Sequence, residues 1–179
     1  MPHPPPRKRP GSPTRHLTGF PRARGAGRRP FVSAVNQPYR GAFVGAVHHF
    51  ALRVYFEDTD VAGIVYYANY LKYMERARSD MLRCAGIDQR AALEAGEGVY
   101  VVAEAHIKYR SSARLDDDLL VLSEIEEVRA ASCIIHQRVM RGHDSLADAM
   151  ITAAFLRGGR PRRQPRAWVE TFARLRKED

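Results

Sequence analysis

Between Phe50 and Phe56 the chain alternates, with Phe50, Leu52, Val54 and Phe56 apolar and Ala51, Arg53 and Tyr55 between them. That two-residue period predicts a half-buried strand. The run Glu57-Asp58-Thr59-Asp60-Val61-Ala62-Gly63 that follows is polar and ends in glycine, which predicts a turn. From about Tyr66 to Ala85 the period changes to three or four: Tyr70, Met74, Ala77, Met81 and Ala85 fall on one stripe, and Arg76, Arg78, Asp80 and Arg83 lie mostly opposite. This spacing predicts one long helix, stopped by Gly86. Further aromatic and small residues off the stripe, among them Tyr66, Tyr67, Ala68, Leu71 and Tyr73, imply that the helix is buried over much of its circumference.

After a short polar link, Val99, Val101, Ala103, Ala105, Ile107 and Tyr109 alternate with Tyr100, Val102, Glu104, His106 and Lys108, a long strand. Three more strand-like runs cover about Leu119 to Val128, Ser132 to Met140 and Leu146 to Leu156, joined by links too short for parallel crossovers. The order is strand, long helix, then four antiparallel strands. The apolar face of such a sheet needs a cover, and the long helix is the candidate, so the sheet is expected to wrap around it in an α+β fold. Beyond Gly158-Gly159, the residues Trp168, Val169, Phe172 and Leu175 predict a short amphipathic helix, expected to pack on the outside.

Composition divides the chain. Nine of its 11 prolines and nine of its 29 basic residues lie within residues 1 to 45, and no acidic residue precedes Glu57. That stretch has no apolar period and cannot sustain a helix or a ladder, so it is expected to be a disordered tail, with the folded domain at residues 46 to 179. Three accounts of the tail stand: an appendage without a role, an upstream translation start, or an Arg-rich targeting peptide, although a transit peptide would be Ser-rich and amphipathic. The excess positive charge belongs to the tail, and the body has as many acidic as basic residues, so nucleic acid is not an expected partner. No apolar run is long enough for a secretory signal or a membrane span, and the protein is expected in the cytoplasm. Cys84 and Cys133 lie in separate predicted elements without C-x-x-C spacing, which gives no sign of a disulfide or a cysteine zinc site. His136 and His143 likewise lack ligand spacing, and neither a metal nor a cofactor is expected.

One segment carries chemistry. The run from Arg53 through Phe56-Glu-Asp-Thr-Asp-Val-Ala-Gly-Ile-Val-Tyr-Tyr-Ala-Asn-Tyr70 to Glu75-Arg-Ala-Arg78 resembles the signature of the 4-hydroxybenzoyl-CoA thioesterase family, and Tyr109-Arg-Ser-Ser-Ala-Arg-Leu-Asp-Asp117 resembles a loop of that family joining its second and third strands. In detail the segment is similar to the bacterial acyl-CoA thioesterases associated with the Tol-Pal system. The resemblance covers roughly residues 48 to 175. It implies a hotdog fold, hydrolysis of an acyl-CoA, a second aspartate of the motif, Asp60, as the catalytic carboxylate, and the backbone N–H of Tyr67 at the helix start as the group that polarises the carbonyl. It also implies that Gly63, Val65 and Tyr66 line the substrate site, and that subunits join in a homodimer or homotetramer with sites at their interface.

Physical need agrees with those roles. Thioester hydrolysis requires a nucleophile or general base beside the carbonyl carbon and donors where the oxygen becomes negative. A helix start supplies unpaired N–H groups and the positive end of a dipole. One carboxylate suits either direct attack or activation of water, and the sequence leaves both open. Histidine is common at the position of Tyr67 in the Tol-Pal-associated relatives, so the side-chain role there stays open while the backbone role is unaffected. Asp58 reads as structural, bonding the turn, and Glu75, Arg76 and Arg78 as helix ion pairs or contacts between subunits, with the lining of a pocket as the alternative. Arg114 is the candidate for CoA phosphate, against the ordinary reading of a solvated loop arginine, and Lys108 and Arg110 are open to the same two readings. Acyl carrier protein is a second candidate donor. The absence of G-x-S-x-G speaks against a serine thioesterase, and His48-His49-Phe50 lacks the Pro-Gly of the hotdog dehydratases. The alternative of another class is a non-catalytic acyl-binding or scaffolding module.

Overall fold

The computed structural model describes residues 39–176. The expected tail lies outside the described residues as far as Pro38. The elements in chain order are β1 (Ala42–Val44), β2 (Val47–Arg53), α1 (Asn69–Cys84), α2 (Gln89–Glu94), β3 (Val99–Tyr109), β4 (Asp118–Val128), β5 (Ser132–Arg141), β6 (Asp144–Arg157), β7 (Arg160–Pro161) and α3 (Arg166–Leu175). The strands form one antiparallel sheet in the order β1-β2-β4-β5-β6-β3, with β7 added to β6.

Several boundaries differ from the sequence expectation, each for a local reason. Residues 42–44, assigned to the unstructured tail, form β1, because Gly45 at φ 62° opens a two-residue hairpin that lays Ala42 against His49. The first strand ends at Arg53 rather than Phe56. The Asp58 carboxylate takes the Tyr55 N–H at 2.9 Å and winds Phe56–Asp58 into a single 3₁₀ turn, which leaves Phe56 81% exposed despite its place in the alternation. The link after Gly86 contains α2, capped by Asp88, whose side chain accepts from the Arg90 and Ala91 N–H groups.

Helix α1 crosses the concave face of the sheet. Its Tyr70, Tyr73, Met74 and Ala77 pack on Leu119, Val121, Val139, Ala149 and Ile151, all buried. Between helix and sheet lies a polar network: Gln137 Nε2 donates to the Met74 carbonyl at 3.0 Å and to Ser123 Oγ at 2.8 Å, while its Oε1 accepts from Arg78 Nη1 at 2.7 Å. This network consumes the partners that a buried amide needs. It also overturns the ion-pair reading of the helix, since Arg78 turns inward to an amide and Glu75 accepts from Ser79 Oγ at 2.7 Å.

Helix α3 does not lie on the outside. Phe172 is buried with Met81 and Leu82 of α1 and with Ile125, Cys133, Ile135 and Ala153 of the sheet, so α3 covers the part of the concave face that α1 leaves bare. The amphipathic stripe was legible, but which face of the sheet it would find was not. Strand β3 is an edge, paired only with β6 among the described residues, and its Val101 and Val102 are exposed.

One turn is held by a close approach. Gly98, at φ 129°, passes so near Phe155 and the Leu156 carbonyl that an added Cβ would stand 2.5 Å from each. Gly98→Ala is therefore expected to destabilise the fold by about 2–3 kcal/mol, from overpacking together with backbone strain. Urea denaturation checks this, and an unchanged midpoint would contradict it.

Candidate active site

The loop between β2 and α1 is built around Asp58. Its carboxylate is buried on the Tyr55 N–H, and its carbonyl takes the Tyr66 N–H at 2.9 Å and Asn69 Nδ2 at 2.9 Å. These bonds close the loop and set where α1 begins, so the structural reading of Asp58 fits its contacts. Beside it the Tyr73 hydroxyl is buried without reaching hydrogen-bonding geometry to any group among the described residues. Burial, and then the negative Asp58, push that phenol well above its ordinary range.

Asp60 sits at the tip. A bridge between Thr59 and Val65 pinches the loop, Asp60 N–H donates to the Ile64 carbonyl at 2.9 Å, and Gly63 N–H returns to the Asp60 carbonyl at 2.9 Å. Gly63 adopts φ 73°, a conformation natural only to glycine at this turn. The Asp60 carboxylate is solvent-exposed and takes the Ala62 N–H at 2.8 Å through Oδ1, which fixes its direction.

Tyr66 and Tyr67 follow, with rings 4.6 Å apart. Both are open to solvent, at 45% and 59% exposure. The neighbouring Tyr67 hydroxyl, then burial and the Asp60 charge, raise the Tyr66 phenol above its ordinary range. The Tyr67 N–H donates to no group among the described residues, whereas its carbonyl accepts from Tyr109 Oη at 3.2 Å. Tyr67 lies one residue before Ala68, the N-cap of α1, so this free N–H belongs to the turn that leads into the helix rather than to its first turn as expected.

The loop after β3 closes the site from the other side. Val65 N–H donates to the Ala113 carbonyl and Ala113 N–H to Tyr70 Oη, both at 2.9 Å. Arg114 comes next: its backbone N–H is fixed by Asp117 Oδ2 at 2.9 Å, and its exposed side chain enters none of the ion pairs among the described residues. Burial alone would raise Asp117, but Arg141, at 2.8 Å, together with the Arg114 N–H, holds it below the ordinary carboxylate range. The residues singled out from the sequence, Asp60, Gly63, Val65, Tyr66, Tyr67 and Arg114, are thus carried by two loops joined through Ala113. Tyr109 was missed as a member of the site. Its register as the last residue of β3 was the available signal, and only the sheet brings it to the helix start.

A sheet packed around one helix, with a carboxylate and a free N–H on the loop that leads into that helix, is the architecture of a hotdog thioesterase. A family model described as the Thioesterase-like superfamily matches residues 54–173, and the chain belongs to that superfamily. Among curated proteins it is similar to the acyl-CoA thioesterase YbgC of Haemophilus influenzae, at 42% identity over 59% of this chain and 77% of that protein. It is likewise similar to the acyl-CoA thioester hydrolase YbgC of Escherichia coli O6:H1, at 36% identity over 68% and 92%. Among solved structures it resembles a probable thioesterase from Bartonella henselae, with TM-score 0.63, 32% identity, and 66% and 99% of the two chains covered. The resemblance carried by the motif around Asp60 and the relatives agree. No described helix is long and apolar enough to cross a membrane.

Proposed function

We propose that this protein hydrolyses acyl-CoA thioesters to the free acid and CoA, with Asp60 and the Tyr67 N–H as the reacting pair. The supporting observation is the exposed Asp60 carboxylate, held in direction by Ala62 N–H, on the same loop as the Tyr67 N–H, which is unpaired among the described residues and lies in the turn leading into α1. Bound with its carbonyl oxygen on that N–H, the thioester gains stabilisation as the oxygen becomes negative. The helix dipole adds to it. Asp60 then attacks the carbonyl carbon, giving a mixed anhydride that water cleaves, or takes a proton from water as the water attacks; in both courses CoA leaves as the thiolate. Gly63 and Val65 shape the backbone beside the acyl carbonyl, and Tyr66 with Tyr67 supplies an aromatic wall.

Release of free thiol from a panel of acyl-CoA esters, short, long and benzoyl, tests the reading. No release with any of them, while the esters still bind, would support the non-catalytic module instead. Because Tyr67 acts through its backbone, Tyr67→Phe is expected to retain activity within about threefold, since the phenol makes no transition-state contact. A fall of a hundredfold would move the role to the hydroxyl.

Arg114 is proposed to meet a CoA phosphate, as its guanidinium is exposed and, among the described residues, unpaired beside the site loop. Arg114→Ala is expected to raise KM several-fold with kcat nearly unchanged, the pattern of lost uniform binding. Steady-state kinetics with acyl-CoA and with an acyl-pantetheine lacking those phosphates decide it: the effect disappears with the short donor. Acyl carrier protein is proposed as a second donor. The exposed edge β3 and the open rim of the site suit a homodimer or homotetramer that completes the pocket, which light scattering measures. We place the enzyme in the cytoplasm, where acyl-CoA is made and used.

A further inference from the structure

At the opposite end of α1 from Asp60, a second group of side chains ties the N-terminal hairpin to the helix. His48 of β2 is fully buried, with Nε2 3.0 Å from Asp80 Oδ2. The same oxygen takes Gly41 N–H at 2.7 Å and lies 3.6 Å from Cys84 Sγ, which in turn sits 3.4 Å from the Gly41 carbonyl oxygen. The imidazole, carboxylate and thiol donors all fall within 4.8 Å of one another.

We propose that His48, Asp80 and Cys84 bind a divalent cation of borderline softness, zinc above all, which clips the β1–β2 hairpin to the last turns of α1. The donor set is the first argument. Nitrogen, carboxylate oxygen and thiolate are the three ligand types of protein zinc, and a tetrahedral ion with bonds of about 2.0–2.3 Å spaces its ligands about 3.3–3.7 Å apart. The observed 3.0 and 3.6 Å separations from Asp80 Oδ2 differ from that by at most a few tenths of an ångström, and the His48 and Cys84 donors, within 4.8 Å of each other, close on the ion as it binds. Asp80 and Cys84, four residues apart on α1, share one helix face, the spacing that gives two ligands to one ion.

Charge is the second argument. Binding releases the thiol proton to solvent and moves the imidazole proton from Nε2 to Nδ1, which is buried without a partner among the described residues, so a carboxylate, a thiolate and a neutral imidazole hold a doubly charged ion with no net charge left. Gly41 is the third. An added Cβ there would collide with the His49 carbonyl oxygen of the paired strand and stand 2.8 Å from both His48 Nε2 and Asp80 Oδ2, so glycine is required where the hairpin passes these two donors, and its carbonyl offers a fourth oxygen next to Sγ. Cys84 is exposed and gives the ion a way in. The role is structural, since Asp80 lies 13 residues beyond Tyr67, about 20 Å along a helix.

Cobalt(II) followed by zinc(II) tests this on the full chain after chelator treatment. Expected is one cobalt per chain, with a thiolate-to-cobalt charge-transfer band and tetrahedral visible absorption, both displaced by one equivalent of zinc. Cys84→Ser and His48→Gln are each expected to weaken binding by about 100-fold or more, and zinc is expected to raise the melting temperature of the natural protein but not of Cys84→Ser. Should His48→Gln fail to fold, Cys84→Ser at the surface decides alone. A cobalt complex without the charge-transfer band, or zinc affinity unchanged in Cys84→Ser, overturns the proposal.

Discussion

Replacing Asp60 by asparagine is expected to lower kcat for acyl-CoA hydrolysis by roughly a thousandfold, the order of magnitude of a lost acid–base group. Asparagine keeps the side-chain oxygen that accepts the Ala62 N–H, so the turn survives, and Asp60 is exposed, so no buried packing changes. The melting temperature should stay within about 2 °C of the parent, as for a surface substitution that preserves its hydrogen bond. What disappears is the negative charge that attacks carbon or accepts the proton of water. Thiol release under saturating substrate measures the effect, and retention of activity within tenfold would remove Asp60 from the mechanism. The contrast with Tyr67→Phe separates a reacting side chain from a backbone donor on the same loop.

The second large effect is on stability. Phe155→Ala is expected to cost about 3–5 kcal/mol, the range for deleting a buried aromatic ring from a core. Phe155 is fully buried, meets Tyr100 at 5.4 Å and Trp168 at 5.7 Å between ring centroids, and fills the space that Gly98 leaves. Its removal opens a cavity where β3, β6 and α3 meet, three elements from separate parts of the chain. Phe56→Ala is the control: at 81% exposure it should change stability by less than about 0.5 kcal/mol. Urea unfolding of both variants gives the comparison, and equal midpoints would show that the meeting point of these elements contributes nothing special.

The contrast between these two phenylalanines also shows where sequence reading stops. Phe56 continues the apolar alternation of the first strand, yet it faces solvent because the Asp58 carboxylate captures the Tyr55 N–H and turns the chain. A local polar bond outweighed the period. The same holds for Arg78, whose helix position suggested a surface ion pair but whose guanidinium runs inward to Gln137, a residue 59 positions away. Contacts at that separation leave no mark in a window of a dozen residues. The His48, Asp80 and Cys84 cluster is the clearest example: two of its members share a helix face, but the third arrives from a strand 32 residues earlier, and spacing rules had given no sign of a site.

By itself the sequence determined the order of the long elements, the central helix and its stop at Gly86, the hairpin ladder of the later strands, and the motif around Asp60, because each is written in contiguous periods and turn residues. The tertiary structure alone decided that α3 shares the concave face with α1, that Tyr109 closes the helix start, that Ala113 ties Arg114's loop to the Asp60 loop, and that Gly41 packs against a buried His–Asp pair. The physical reason is the same in each case. Periodicity fixes which face of an element is apolar, whereas the partner of that face is chosen by sheet register and by the close fit of side chains from distant parts of the chain.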